Sequence, residues 1–209
     1  SGINPVIGDA ITNYTSAFVA PGSAGANQTW NLSSMTQAGT SATNAVAPSS
    51  TPNGSSFPSS NVAFSGTGYY AYYNTSSTAW QNYGTSSSII MAYSNPEDFL
   101  HFPFTYNNTY TDTWASTFIS GTYTYYRTGT TTVTADGYGT LTTPVGTFSN
   151  VLRVHFVQNY QDSTYIPSFG PYVTVYQNDQ YMWYLNGNHS PIASVYTLTT
   201  ATSTNTGGY

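Results

Sequence analysis

The sequence predicts an all-β domain, an antiparallel β-sandwich or jelly-roll-like fold of about ten or more strands with one very short helix. Three observations predict it. Short runs rich in Tyr, Thr, Val and Phe recur along the chain, and Gly, Pro, Asn and Ser separate them. Helix signals are scarce. No internal repeat or shift in composition divides the chain, so residues 1–209 are predicted to form a single domain.

The clearest predicted strand is residues 150–160, where apolar side chains alternate with Arg153 and His155. Residues 38–60 are rich in Ser, Thr, Ala, Asn and Pro, which predicts an irregular surface excursion. A hairpin is predicted about Asn178-Asp179, a pair typical of turns. The other predicted strands are residues 61–64, 68–73, 87–93, 112–118, 122–128, 130–135, 138–142, 146–149, 172–176, 181–185 and 194–201.

The short helix is predicted to begin at Ser94 or Asn95, because either side chain can cap a first turn. Pro96 suits the first helical position, and Glu97 and Asp98 suit the positive end of a helix dipole. The segment is long enough for one or two turns at most.

Charge is unusually sparse. Only 4% of residues are charged, against a typical share of about 25%. Two basic and seven acidic residues give a net charge of −5, so no basic patch exists and nucleic acid is excluded as a main partner. No apolar run approaches about 18 residues, which predicts a chain that does not span a membrane. A weakly charged surface resists self-association poorly, which favours packing against copies of the same chain.

No enzyme, metal or cofactor site is predicted. The chain lacks Cys, and its only imidazole bases are His101, His155 and His189. His155 could pair with Asp136 or Asp162, but no Gly-x-Ser-x-Gly elbow accompanies it, so a structural role is favoured.

A hydrolase that uses aspartate side chains is a weaker alternative. Asp112, Asp136 and Asp162 come from different predicted strands and could converge as a hydrolase pair. A calcium site would need clustered oxygen ligands, and Asp136-Gly137 is better explained as a turn.

Tyrosine and tryptophan offer a second kind of surface. Tyr70, Tyr72, Trp80 and Tyr83 could form a platform on which sugar rings stack. Inward-facing aromatic residues would instead fill the core, and outward ones would suit contacts between subunits. Subunit contact is favoured over glycan binding.

Several sequence blocks carry a family resemblance. They run in order along the chain: PGSAGANQTWNLS at residues 21–33, FPFTYN at 102–107, ADGYGTL at 135–141, PVGTFSNVLR at 144–153, YMWY at 181–184 and HSPI at 189–192. Together they resemble a domain common in secreted Bacteroidota proteins, found upstream of type IX secretion sorting signals. The resemblance implies an extracellular, cell-surface location and no particular reaction. It also makes Ser163 a candidate O-glycosylation site, because Asp162-Ser163-Thr164 is similar to the acceptor motif of those bacteria.

The termini lead to the functional hypothesis. Residues 203–209 carry almost no apolar side chains that could pack against the domain, so we expect a neighbouring subunit to bind and order them. We therefore expect a structural subunit of an extracellular bacterial filament or surface assembly, in which residues 1–11 or the last strand pair with another copy. The candidate interface residues are Ile3, Val6, Ile7, Ile11, Val195, Thr197 and Tyr209. The alternative is a monomeric carbohydrate-binding or adhesive module that recognises surface glycans.

Overall fold

The computed structural model describes residues 2–209 and shows a closed barrel of twelve antiparallel strands. The all-β class is confirmed, but the predicted sandwich or jelly roll is wrong. The reason is the strand order: successive strands pair with one another around the ring, so one sheet curls onto itself instead of two sheets packing face to face.

The described residues form thirteen strands. They are β1 (Ala10–Ser16), β2 (Gly25–Asn31), β3 (Gln37–Val46), β4 (Val62–Gly66), β5 (Tyr69–Thr75), β6 (Ala79–Ser86), β7 (Ile90–His101), β8 (Thr109–Ser120), β9 (Tyr123–Thr143), β10 (Gly146–Ile166), β11 (Gly170–Tyr184), β12 (Ala193–Thr200) and β13 (Thr204–Gly208). The ring follows chain order apart from β2, which lies outside it and pairs in parallel with β9. Two 3-10 turns, Pro48–Ser50 and Gly54–Ser56, lie between β3 and β4.

The two chain ends close the ring. β13 pairs along its length with β12 and meets β1 at Gly208 and Ser16. The backbone N–H of Tyr209 donates to the carbonyl of Ser194 at 2.8 Å. The tail that lacks apolar side chains is therefore held by its own chain through main-chain hydrogen bonds. Ser1, the first residue of the predicted 1–11 segment, lies outside the described residues.

The predicted helix is also wrong, because its residues belong to β7. Register shifts occur between Tyr93 and Asn95 in the pairing with β8, and beside Asn82 in the pairing with β6. Such irregularities accommodate Pro96, which has no N–H to give to a ladder. Tertiary pairing thus overrides a good set of local capping signals.

The predicted hairpin about Asn178-Asp179 is wrong as well, since β11 continues through both residues. Each polar side chain finds a partner on the sheet. The Asn178 amide donates to Gln158 at 3.1 Å, and Asp179 contacts the His155 ring nitrogen at 2.8 Å. These contacts satisfy residues that sequence statistics assign to turns.

The hairpins predicted at residues 61–73 and 112–128 are confirmed as β4–β5 and β8–β9. Strands predicted separately at 122–128, 130–135 and 138–142 are all parts of β9, which runs for 21 residues. Threonines alternate with more buried residues in its middle part. A register shift in the pairing with β10 skips Asp136 and inverts the two faces beyond it, so Val133 packs inside the barrel whereas Leu141 packs in a different cluster, with Trp30.

The barrel interior holds the main core. Phe99 on β7 contacts Trp80 on β6 at 4.9 Å between ring centroids, and Phe156 on β10 at 5.0 Å. Because β7 and β10 are three strands apart in the ring, these rings touch across the interior. Other members of this core are Leu100, Val133, Val154, Met182 and Tyr184.

A second core covers part of the outer wall. The segment around β2 lays Trp30, Leu32 and Met35 over outward-facing residues of the barrel, among them Trp183 and Val195. A smaller outer cluster forms where the excursion after β3 brings Phe57 onto Tyr72, with the rings stacked at 3.7 Å. Both coverings bury apolar side chains that the barrel wall would otherwise expose.

Candidate functional site: the barrel cavity

A cavity of about 740 Å³ occupies part of the barrel interior. Its lining includes exposed residues of three segments, Tyr14, Val145 and Tyr209, so the cavity communicates with solvent. Cavities of roughly 300–1,000 Å³ in the mouths of β-barrels are common binding sites for small molecules.

Aromatic rings form much of the wall. Phe64, Tyr73 and Phe99 surround Trp80, with ring centroids 6.3, 5.6 and 4.9 Å from it. Strands β4 to β7 carry these rings, because one side chain in two turns inward along each of them. Met182 and Tyr184 extend the apolar wall on β11. The indole nitrogen of Trp80 is covered and has no hydrogen-bond partner within residues 2–209.

The polar groups at the cavity come from amides and hydroxyls. The Gln180 amide donates to the Ser194 hydroxyl at 2.8 Å and to the Tyr209 hydroxyl at 3.3 Å. The Asn13 amide donates to the Thr43 hydroxyl at 3.3 Å. None of the described residues that line the cavity is Asp, Glu, Lys, Arg or His.

The carboxylate of Glu97 lies deep in the barrel. Glu97 is 1% exposed and accepts hydrogen bonds from Thr131, Gln158 and Asn82. Burial raises the pKa of Glu97 above its ordinary value, although these three donors oppose the rise and nearby Asp112 adds to it. These hydrogen bonds hold polar side chains in place inside the barrel, and Glu97 does not line the cavity.

Each histidine pairs with an aspartate, but with partners other than those weighed for catalysis. His101 lies 2.7 Å from Asp98, His155 lies 2.8 Å from Asp179, and His189 lies 2.9 Å from Asp9. In the described part of the chain no Ser or Thr hydroxyl is hydrogen-bonded to a histidine ring.

The three aspartates weighed as a hydrolase pair have separate partners. Asp136 receives two hydrogen bonds from Arg153, and Asp162 receives two from Arg127. Asp112 accepts the backbone N–H of Asp98 at 2.8 Å. Across residues 2–209 no group of three or more His, Asp or Glu side chains is placed to hold a metal ion. The described residues also contain no helix long and apolar enough to cross a bilayer.

The four residues considered for glycan stacking are not brought to one exposed surface. Tyr72 is fully buried under Phe57 on the outer wall, whereas Trp80 lies inside the barrel. Tyr70 and Tyr83 are partly buried against the Tyr72 cluster. Ser163 is partly buried on β10, and its hydroxyl donates to the carbonyl of Tyr126 at 3.3 Å.

The candidate interface residues are spread over different environments. Val6 and Ile7 are exposed, at 49% and 59%. Ile3 packs against the interior core, Val195 is buried under the β2 segment, and Thr197 is partly buried on β12. Ile11 and Tyr209 line the cavity.

Sequence reasoning missed the residues that build the cavity, apart from Trp80, Ile11 and Tyr209, which it placed in other roles. The available signal was the alternation within β5 and β6, which separates Tyr73 from Tyr72 and places them on opposite faces. Strand closure into a ring, which turns one of those faces into an interior, is not visible in that alternation.

Comparison with known proteins returns no matching family model, curated protein or solved structure. The site is therefore interpreted from its own chemistry.

Proposed function

We propose that this protein binds a small, mostly apolar molecule inside its barrel. The observation that carries the proposal is the solvent-connected cavity of about 740 Å³ walled by Phe64, Tyr73, Trp80 and Phe99. A folded protein ordinarily fills its interior to a packing density of about 0.75, so space of this size beside aromatic side chains favours an occupant.

A neutral fluorescent dye tests this proposal. Nile red becomes brightly fluorescent in apolar surroundings, and we expect saturable binding at one site per chain. The blocking variant is Thr43→Phe, which places a ring in the cavity from the wall of β3. The matched control is Thr40→Phe, since Thr40 is exposed on the same strand and does not line the cavity. Loss of binding in the first variant alone supports the proposal. Equal binding by both variants and the unmodified chain contradicts it.

We also propose self-association, through a different segment from the termini. Within residues 2–209, β12 pairs with β11 only from Tyr176 to Trp183, so the first six residues of β11 have a described partner on one side only, β10. Val173 and Val175 there are 51% and 57% exposed. An open, uncharged strand edge favours addition of a strand from a second copy. Pro171 removes one donor from this edge and limits the pairing to the residues beyond it.

Sedimentation velocity and electron microscopy test this second proposal. A lysine at an open edge opposes strand addition, so Val173→Lys should shift any oligomers or filaments to monomers. Thr130→Lys is the control, because Thr130 is exposed on β9, which has strands on both sides. Monomers at every concentration for the unmodified chain would overturn the proposal, and with it the extracellular filament hypothesis.

A further inference from the structure

The charges of this chain restrict what its cavity can hold. The sequence has two basic residues besides its three histidines, and both are already paired inside the fold. Arg127 contacts Asp162 at 2.6 Å through two nitrogens, and Arg153 contacts Asp136 at 2.8 and 2.9 Å. Neither arginine lines the cavity. A bound carboxylate, phosphate or sulfate would therefore lose its water without gaining a cation, which is strongly unfavourable.

One polar group in the aromatic wall is free to meet a ligand. The Tyr73 hydroxyl makes no hydrogen bond within residues 2–209, and it is not among the covered polar atoms of the interior. Tyr73 is partly buried, and its ring packs between Phe64 and Trp80 on the cavity wall. Tyr73 therefore presents part of its side chain to the cavity.

The Tyr73 hydroxyl keeps its proton at neutral pH. Burial raises the pKa of its hydroxyl well above the ordinary value, and neighbouring tyrosines and Glu97 raise it further. At neutral pH the hydroxyl is uncharged, and its proton is available to donate. Among the amide donors at the cavity, Gln180 already donates to two protein hydroxyls and Asn13 to one.

We propose that the occupant is an uncharged, mostly apolar molecule whose carbonyl or ester oxygen accepts a hydrogen bond from the Tyr73 hydroxyl. This inference rests on the proposed function, because it assigns the ligand class of the same cavity. The aromatic wall packs against the hydrocarbon part, and the absence of a cation rejects the corresponding free acid. Tyr73 acts as the group that orients the ligand.

Displacement of Nile red by three matched compounds tests the inference. The compounds are a long-chain methyl ester, the free acid of the same chain and the alkane of the same length, compared at a pH of about 8, where the acid is ionised in water. Tyr73→Phe removes the hydroxyl and keeps the ring. Tyr70→Phe is the control, because Tyr70 lies on the same strand but packs into the outer cluster with Tyr72.

We expect the ester to bind at least about tenfold more tightly than the ionised acid, because of the acid's desolvation. Tyr73→Phe should weaken ester binding by about three- to tenfold and leave alkane binding unchanged, as for loss of one hydrogen bond. Equal or tighter binding of the acid overturns the inference, as does ester binding that Tyr73→Phe leaves unchanged. In both cases Nile red still binds, so the proposed function stands. Failure of Nile red and all three compounds to bind would instead overturn the proposed function.

Discussion

Arg153 and Asp136 are joined by two hydrogen bonds, of 2.8 and 2.9 Å, across the outer wall of the barrel. The third guanidinium nitrogen donates to the carbonyls of Pro21 and Gly22, and the side chain is 1% exposed. Its guanidinium carbon lies 5.1 Å from the ring centroid of Trp30. One buried arginine thus ties the segment around β2 to the barrel.

Breaking this pair should be costly. Arg153→Met leaves the partly buried Asp136 carboxylate and two carbonyls without their donor, so we expect the free energy of unfolding to fall by about 3 kcal/mol or more. Urea denaturation measures it. Adding Asp136→Leu removes the unpaired charge, and the double variant should recover part of the loss. A cost for Arg153→Met of less than about 1 kcal/mol, the range of surface pairs, would contradict a buried clamp.

Glu97 predicts how stability depends on pH. Burial raises its pKa in the folded state, so its contribution to stability is present below the unfolded pKa and is lost as pH rises through the folded value. Glu97→Gln removes this titration. The difference in unfolding free energy between the variant and the unmodified chain should therefore move in favour of the variant as pH rises from about 4 to 8.

Denaturant titrations of the Glu97→Gln variant and the unmodified chain across that range measure the difference, in which shared titrations cancel. Parallel curves for these two proteins would show that Glu97 does not carry the effect.

Asp9 affects the pH dependence of stability in a lower pH range. Burial raises its pKa, but the Val6 backbone N–H and His189 outweigh this and lower it, so its contribution is lost only as pH falls below the ordinary aspartate range.

Gly139 should tolerate no side chain. A Cβ atom there would lie 1.9 Å from the carbonyl oxygen of Gln28, on the neighbouring strand β2. Gly139→Ala must therefore displace backbone, and we expect a loss of about 1–3 kcal/mol or more in unfolding free energy. At Gly66 the nearest atom would be 3.8 Å away, so Gly66→Ala is the matched control. Similar losses in the two variants would argue against close approach of β2 and β9.

Removal of β13 distinguishes the two roles considered for the tail. Within the chain, Thr204–Gly208 pairs with β12 and Tyr209 bonds to Ser194. A chain ending at Ser203 loses these hydrogen bonds and the strand that meets β1, so its thermal midpoint should fall by several degrees or more. A midpoint equal to that of the full chain, with self-association lost, would instead indicate that the tail serves a partner.

Particular residues show how far the sequence could lead to this structure. Alternation along residues 150–160 correctly placed Val154 and Phe156 on one face and Arg153 on the other. It could not show that Asp136 is the partner of Arg153, because that pairing depends on register between two long strands. The capping signals at Ser94 and Pro96 predicted a helix that does not form, because local helix preference is weaker than the pairing of a whole strand.

The sequence by itself determined the strand-forming character of the chain and the small number of its charges, because these follow from residue types and their period of two. Tertiary structure alone decided that β1 and β13 meet, that the sheet forms a ring, and that Tyr73 and Trp80 face a cavity while Tyr72 faces the outer wall. Ring closure depends on the summed twist, tilt and register of twelve strands, a quantity that no short stretch of sequence contains.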